Sequence, residues 1–347
     1  MEKLAIAVVG AGAIGRMHAE LIAGSDVARL AAIADPADAA RDLAARLGVP
    51  CFGDHRDMLA KSGAGAVIVA TPNELHLPVA LDSIAAGLPT LVEKPIAAAV
   101  PQGEAIASAA RRAGVAVLVG HRRRHNPIVQ EAQRLVRGGA IGAPTSIAVM
   151  SNVYKPDDYF APEWRRRSGA GPVLVNMIHE IDLLRFVCGE IASVQAMTSN
   201  ARRGFEIEDT AAVLLRFVND ALATISLSDT AVSPWSWDLS SGELAPYPPQ
   251  PAPAPSHYFS GTEGAFALPT LERWTYRGQK SWYAPLTLER ATVARENPYI
   301  GQLRHFCAVA RGDERPLIDA DDGLRTLRAT IAVHESARTG APVHLRD

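Results

Sequence analysis

Short apolar runs alternate with stretches of helical periodicity through the first third of the chain. Runs at 4–9, 30–34, 50–52, 66–70, 90–92 and 115–119 have the length of buried strands. Residues 14–23, 38–47, 75–86 and 102–112 instead place apolar side chains at the spacing of one helix face, and 56–61 is a single helical turn. Strands and helices in this alternation predict a parallel sheet covered on both faces, assigned to residues 1–121. The character then changes. Residues 128–137 form an amphipathic helix stopped by Gly138-Gly139. From Thr145 the period drops to two, with Ile147, Val149 and Ser151 on one face and Ala148 and Met150 on the other. A helix over 172–188 is followed by strands at 193–198, 210–218 and 221–228, the last two joined by Asn219-Asp220 as a two-residue hairpin. Pro246, Pro248, Pro249, Pro251, Pro253 and Pro255 mark a loop of polyproline character, and helices at 298–311 and 321–339 close the chain. Residues 122–347 therefore read as a mixed α+β domain with antiparallel strands.

The first strand runs directly into Gly10-Ala11-Gly12-Ala13-Ile14-Gly15, and a helix follows. In that context the glycines fit a dinucleotide fingerprint: a tight turn, close backbone approach to a pyrophosphate, and close helix–strand packing. The phosphate would sit on the helix N-terminus, where free N–H groups and the dipole favour an anion. The second strand ends in Asp35, twenty residues past Gly15. A carboxylate there suits the ribose 2′-hydroxyl and repels a 2′-phosphate, and Pro36-Ala37-Asp38 supply no cation for one. NAD is favoured over NADP. The bland reading is an ordinary glycine turn with Asp35 as a helix cap.

Composition narrows the class further. A chain of 347 residues is long enough for two domains and an ample core. A formal net charge of -2 gives no excess of either sign, so neither nucleic acid nor an acidic tail is indicated. Cys51, Cys188 and Cys307 lack metal spacing and read as reduced core thiols. The opening apolar run is too short for a signal peptide, and no stretch reaches membrane-spanning length, so a cytoplasmic location is expected.

The strand at 90–92 delivers Glu93-Lys94-Pro95. Open α/β sheets bind ligands beyond the carboxyl ends of their strands, so Lys94 would project where a cofactor meets its substrate. By position alone it is either a chemical group or a solvated strand-end cation. His179, on the helix over 172–188, titrates near neutral pH and is the natural proton acceptor, with Asn176 and Asp182 three residues to either side on the same face. Less specific are Arg122, Arg123 and Arg124, and Arg165, Arg166 and Arg167; either cluster could meet an anionic substrate, though a charge run is more often a solvated face. Tyr154, Trp235 and Trp237 could pack on a sugar ring or belong to the core, and His121 and His125 could line the pocket. His121, His125, His179 and Asp182 have no ligand spacing beyond that of any helix, and no metal is expected.

Taken together, Gly10-x-Gly12-x-x-Gly15, Thr71-Pro72-Asn73-x-x-His76, Glu93-Lys94-Pro95, and Gly169-x-Gly171-Pro172 leading to Asn176-x-x-His179-x-x-Asp182 resemble the glucose–fructose oxidoreductase / inositol dehydrogenase / MocA family of NAD(P)-dependent oxidoreductases. The motifs occur in that family's order over nearly the whole chain. The resemblance implies an α/β Rossmann domain, residues 1–121, followed by an α+β domain, residues 122–347, with a large, mostly antiparallel open sheet. One face of that sheet would be helix-covered and the other would form a homodimer or homotetramer contact, using Val213, Leu215 and Phe217 or their alternates. Cofactor contacts are implied at Gly10, Gly12, Ala13, Ile14, Gly15 and Asp35, at Ala70, Thr71, Pro72, Asn73 and His76, and at Glu93 and Lys94. Lys94, His179 and Asn176 would be the catalytic set, with substrate contacts from Arg122, His121, Tyr154, Trp164, Asn176 and Trp235. Relatives often have a cis bond at the place of Lys94-Pro95, and usually an acid where this chain has Asn176. An amide can orient a hydroxyl or the imidazole but cannot share a proton. The implied activity is NAD-dependent hydride transfer from a hydroxyl of a sugar, cyclitol or related polyhydroxy acid. The alternatives are a trans-dihydrodiol-type dehydrogenase and a non-catalytic NAD-dependent binding or regulatory protein.

Overall fold

The computed structural model describes residues 2–243, 247, 252 and 254–345 and divides into two compact units. The proline-rich loop read from the sequence lies outside the described residues except at Pro255, whose carbonyl accepts from the Tyr258 hydroxyl. No helix among the described residues is long and apolar enough to cross a membrane.

The first unit comprises residues 1–122 and 299–327. Its six strands are β1 (Leu4–Val9), β2 (Ala28–Ala34), β3 (Cys51–Phe52), β4 (Ala66–Val69), β5 (Thr90–Val92) and β6 (Val117–Val119). They form one parallel sheet in the order β3-β2-β1-β4-β5-β6, which reverses direction between β1 and β4. That reversal is the switch point at which open α/β sheets bind dinucleotides. β1, β4 and β5 are almost wholly buried, which is why they read as continuous apolar runs and not as alternation. The helices between them are α1 (Ala13–Ala23), α2 (Asp38–Leu47), α3 (His55–Lys61), α4 (His76–Ala85) and α5 (Val100–Ala113). Their ends carry the expected chemistry: Asp54 accepts from Arg56 N–H at the start of α3, and α2 and α5 close on Gly48 and Gly114 in the left-handed region. Residues 299–327, which the sequence grouped with the second domain, join this unit, where Ile318 O accepts from Val119 N–H beside β6.

The second unit comprises residues 123–298 and 328–347. Its strands are β7 (Pro144–Asn152), β8 (Ile191–Ser199), β9 (Thr210–Phe217), β10 (Leu222–Ser228), β11 (His257–Gly261), β12 (Gly264–Leu268), β13 (Glu272–Thr275), β14 (Thr287–Arg290) and β15 (Val343–His344). They form a nine-stranded sheet in the order β14-β13-β12-β11-β7-β10-β9-β8-β15, antiparallel throughout except for the β7–β10 pair. The helices are α6 (Pro127–Arg137), α7 (Ile178–Cys188) and the short α8 (Trp237–Ser240); α9 (Pro298–Arg311) and α10 (Ala320–Thr339) follow, the division between units falling within α10. Period-two alternation settles which sheet face is covered. Val213, Leu215 and Phe217 are buried, so of the two sets considered for a subunit contact it is the alternates that face outward: Met197, Leu214, Leu222 and Tyr258 are exposed. The β9–β10 connection is longer than the two-residue hairpin read from Asn219-Asp220. Asp220 takes a left-handed φ of 64°, and Phe217 N–H donates to Ala221 O.

Candidate active site

In the first unit, the chain leaves β1 at Gly10 and enters α1 at Ala13. Gly15 has no room for a side chain, since a Cβ there would stand 1.8 Å from Gly10 O. The glycine loop can therefore close against α1 only with glycine at that position. The N-cap of α1 is Gly12, so no side chain caps its first N–H groups, and no acidic residue lies in the first turn, an arrangement open to a phosphate. Asp35 stands beside the loop at the end of β2: its Oδ2 accepts from Ala11 N–H at 2.7 Å and its Oδ1 from Ala37 N–H at 2.8 Å. Each carboxylate oxygen keeps a lone pair for a ribose hydroxyl. Thr71 Oγ1, past the end of β4, is buried with no hydrogen-bond partner among the described residues. These features fit NAD, with Asp35 at the ribose and the α1 N-terminus at the pyrophosphate.

Lys94 follows β5 and is half-buried, and the Lys94-Pro95 peptide is cis. Glu93 and His76, expected as cofactor contacts, have another task. Glu93 Oε1 is hydrogen-bonded to His18 Nε2 at 2.8 Å, and its Oε2 accepts the Lys94 N–H at 3.2 Å. Burial would raise the Glu93 carboxyl, but the His18 hydrogen bond and charge, with Lys94 adding to them, outweigh it and hold the group below its ordinary range. His76 Nδ1 lies 2.8 Å from Pro95 O and its Nε2 3.0 Å from Thr71 O, so the ring ties the Thr71-Pro72-Asn73 loop to the lysine turn. Burial lowers the His76 pKa despite those two carbonyls, and the neutral ring donates to one of them at a time. Both residues brace the turn that carries Lys94. His18 was not singled out in the sequence; its signal is a lone histidine on the buried face of α1. His121 is buried, and Arg122 is buried with its guanidinium 5.3 Å from the centre of the Tyr299 ring.

In the second unit, His179 is buried near the start of α7, and Asn176 precedes it. Asn176 Oδ1 is buried with no hydrogen-bond partner among the described residues. Asp182, read as a neighbour of His179, is instead held by Arg124, which donates Nε at 3.0 Å and Nη2 at 2.7 Å to its two oxygens. Arg123 donates Nη1 to Glu180 Oε2 at 2.8 Å. Arg123 and Arg124 are thus core ion pairs, neither solvated nor aimed at a substrate. The second cluster is also committed: Arg165 stacks on Tyr159 and Trp164, Arg166 lies over Phe205, and Arg167 bonds Glu163 and Glu206. Trp237 is fully buried and donates Nε1–H to Glu243 at 2.7 Å, so it belongs to the core and not to a sugar platform. Tyr154, Trp164 and Trp235 remain exposed.

A model of the oxidoreductase family with an NAD-binding Rossmann fold matches residues 4–121, and a model of the GFO/IDH/MocA C-terminal domain matches residues 129–266. Among curated relatives, the scyllo-inositol 2-dehydrogenase (NAD(+)) of Bacillus subtilis (strain 168) is 27% identical over 98% of this chain and 95% of its own length. The inositol 2-dehydrogenase of Rubrobacter xylanophilus is 28% identical over 98% and 93%. Among solved structures, the WlbA dehydrogenase from Bordetella pertussis, in complex with NADH and UDP-GlcNAcA, superposes with a TM-score of 0.79 at 26% identity over 100% of both chains. The chain belongs to the GFO/IDH/MocA family and is an NAD-dependent dehydrogenase acting on CH–OH groups.

The cofactor assignment has a direct test. Asp35→Ser combined with Ala37→Arg is expected to shift the NADP-to-NAD ratio of kcat/KM upward by at least about tenfold, by removing the like charge that faces a 2′-phosphate and adding an opposite one. An unchanged ratio would remove Asp35 from the ribose contact.

Proposed function

We propose that the chain oxidises a secondary hydroxyl of a neutral sugar or cyclitol, with Lys94, His179 and Asn176 as the groups that handle the reacting oxygen. NAD supplies the hydride acceptor. His179 and Lys94 are the two candidates for taking the hydroxyl proton, and the Lys94 ammonium would hydrogen-bond the oxygen as alkoxide charge develops. Asn176 orients a hydroxyl through Oδ1, a buried acceptor that no described residue satisfies. Where the family resemblance implies an acid able to share a proton, this chain has an amide that can only position. Equilibrium sets the direction, and ketone reduction uses the same groups.

The observation that carries the choice of neutral substrate is the fate of the arginines. Of the two arginine clusters, Arg123, Arg124 and Arg167 are ion-paired to carboxylates, Arg165 and Arg166 lie on aromatic rings, and Arg122 lies over the Tyr299 ring, which weakens the sugar-acid reading. The names of the inositol-dehydrogenase relatives point the same way. The experiment is an NAD-reduction screen that sets neutral sugars and inositols against sugar acids and quinate-like carboxylates, with His179→Ala as control. Turnover confined to the acids would overturn the neutral assignment. NAD binding without turnover across the panel, extended to cyclic dihydrodiols, would favour a binding or regulatory protein.

We also place the protein in the cytoplasm, as a homodimer or homotetramer joined through the open sheet face of the second unit. Met197, Leu214, Leu222 and Tyr258 give that face an exposed apolar side chain on each of four strands, β8, β9, β10 and β11. Light scattering at micromolar concentration is expected to report an oligomer, and Leu214→Glu to shift it to monomer. A monomeric wild type would end this assignment.

A further inference from the structure

Asn176 and His179 are not carried by one regular α-helix. The segment after Pro172 opens with a π-turn, Val173–Met177, in which Ile178 N–H reaches back to Val173 O, and it becomes α7 only at Ile178. Such single π-turns are rare and cluster at functional sites. Val175 N–H donates to Gly171 O at 3.0 Å, while the Val173 N–H, earlier in the turn, needs an acceptor from outside the helix.

Glu208, two residues before β9, supplies one. Its Oε1 accepts the Val173 N–H at 2.8 Å, and its Oε2 lies 3.2 Å from His334 Nε2 on α10. Burial would raise the Glu208 carboxyl, and the His334 interaction and the Val173 N–H overcome it, so the group is held as a carboxylate. The carboxylate fills the space beside Gly171: a Cβ there would stand 2.4 Å and 2.6 Å from its two oxygens. The glycine at the head of the motif and the acid thirty-seven residues later therefore answer one geometric requirement.

We propose that Glu208, braced by His334, is a positioning residue: it caps the π-turn through Val173 N–H and thereby sets the direction in which Asn176 and His179 are presented. What those two residues do chemically rests on the function proposed above; the capping itself does not.

The test uses Glu208→Ala, Glu208→Gln, Gly171→Ala and the Gly171→Ala/Glu208→Ala double variant in the full chain. Three quantities are read: kcat and KM with NAD and myo-inositol, or the fastest compound of the panel; the NAD dissociation constant; and hydrogen exchange at amides 173–179. Glu208→Ala is expected to lower kcat by about ten- to a hundredfold through misplacement of the presented groups, with NAD affinity unchanged and exchange at 173–179 accelerated. Glu208→Gln should restore most of the rate, because its carbonyl oxygen accepts the same N–H. Gly171→Ala should repeat the Glu208→Ala loss, and the two should not add, since the clash disappears with the carboxylate. Wild-type kcat and exchange in Glu208→Ala overturns the proposal, as does a Gln variant no better than Ala or a fully additive double variant. If Glu208→Ala does not fold, Glu208→Gln and Gly171→Ala decide between the same outcomes. Exchange needs no turnover, so a wild type silent on the whole panel would sink the functional reading and still leave the capping to be judged.

Discussion

Lys94→Ala is expected to lower kcat by about a thousandfold, within the range of 10² to 10⁴ for removal of a positioned proton-transfer group, and to leave NAD affinity nearly intact. The separation of the two effects follows from where the residues lie. The NAD fit rests on the glycine loop, the N-terminus of α1 and Asp35, none of which depends on the Lys94 ammonium. The ammonium is placed by its own backbone: Glu93 accepts the Lys94 N–H and is anchored in turn to His18, while His76 holds Pro95 O. Deleting the side chain leaves that frame standing and removes only the ammonium, the group proposed to meet the reacting oxygen. Lys94→Arg should not rescue, because a planar guanidinium cannot occupy the position of a compact ammonium on a fixed turn. Steady-state turnover with a polyol, beside an NAD titration by fluorescence quenching, reads both quantities. Turnover near the wild-type rate in either variant would take Lys94 out of the mechanism.

The first unit was legible in the sequence because its information is local. Strands buried on both faces read as apolar runs, each helix between them ends in glycine or begins at a cap, and the fingerprint at Gly10 to Gly15 announces its own ligand. The second unit was legible only where one face met solvent. β9 alternates buried and exposed residues along its whole length and was found; β13 is half-buried throughout and β14 mostly exposed, so neither carries a period to detect. The parallel pairing of β7 with β10 is a choice between distant segments that no window of sequence contains. The π-turn was missed for a related reason. Every residue of α7 is buried, His179, Glu180, Asp182 and Arg185 included, so its polar positions mark no solvent face whose drift would betray one extra residue in the turn before it.

The candidate site divides in the same way. Residue types in a tight motif, such as Glu93-Lys94-Pro95 and Asn176-x-x-His179, name themselves. What they lean on does not, because the partners are far along the chain: His18 lies 75 residues from Glu93, and Glu180 lies 57 from Arg123. A run of three arginines read locally is a solvated face or an anion site. Only the fold reveals that acids on α7 were waiting for two of them.

That buried network carries the other large expected effect. Glu180 accepts from Arg123 at 2.8 Å and from Ser151 Oγ at 3.0 Å, with His257 Nε2 at 2.9 Å, and so ties α7 to β7 and β11. Arg123 in turn lies over the Trp237 ring. Burial alone would raise the Glu180 carboxyl; Arg123 and His257 outweigh it and bring it down to about 2, from an ordinary value of 4.5. A carboxyl depressed in the folded state stabilises fully above its unfolded pKa, and that contribution fades as pH falls through the interval toward the folded value. Wild-type stability should therefore drop between about pH 4.5 and about pH 2, with this group a large share of the fall. Glu180→Gln leaves Arg123 as a buried guanidinium short of its counter-charge, and is expected to cost roughly 3–5 kcal/mol at neutral pH while flattening the acid limb. The sign distinguishes this from a packing defect, which would lower the whole curve without changing its slope against pH. Urea midpoints at a series of pH values for both proteins make the comparison. Parallel acid limbs would mean that the charge on Glu180 is not what holds α7 to the sheet.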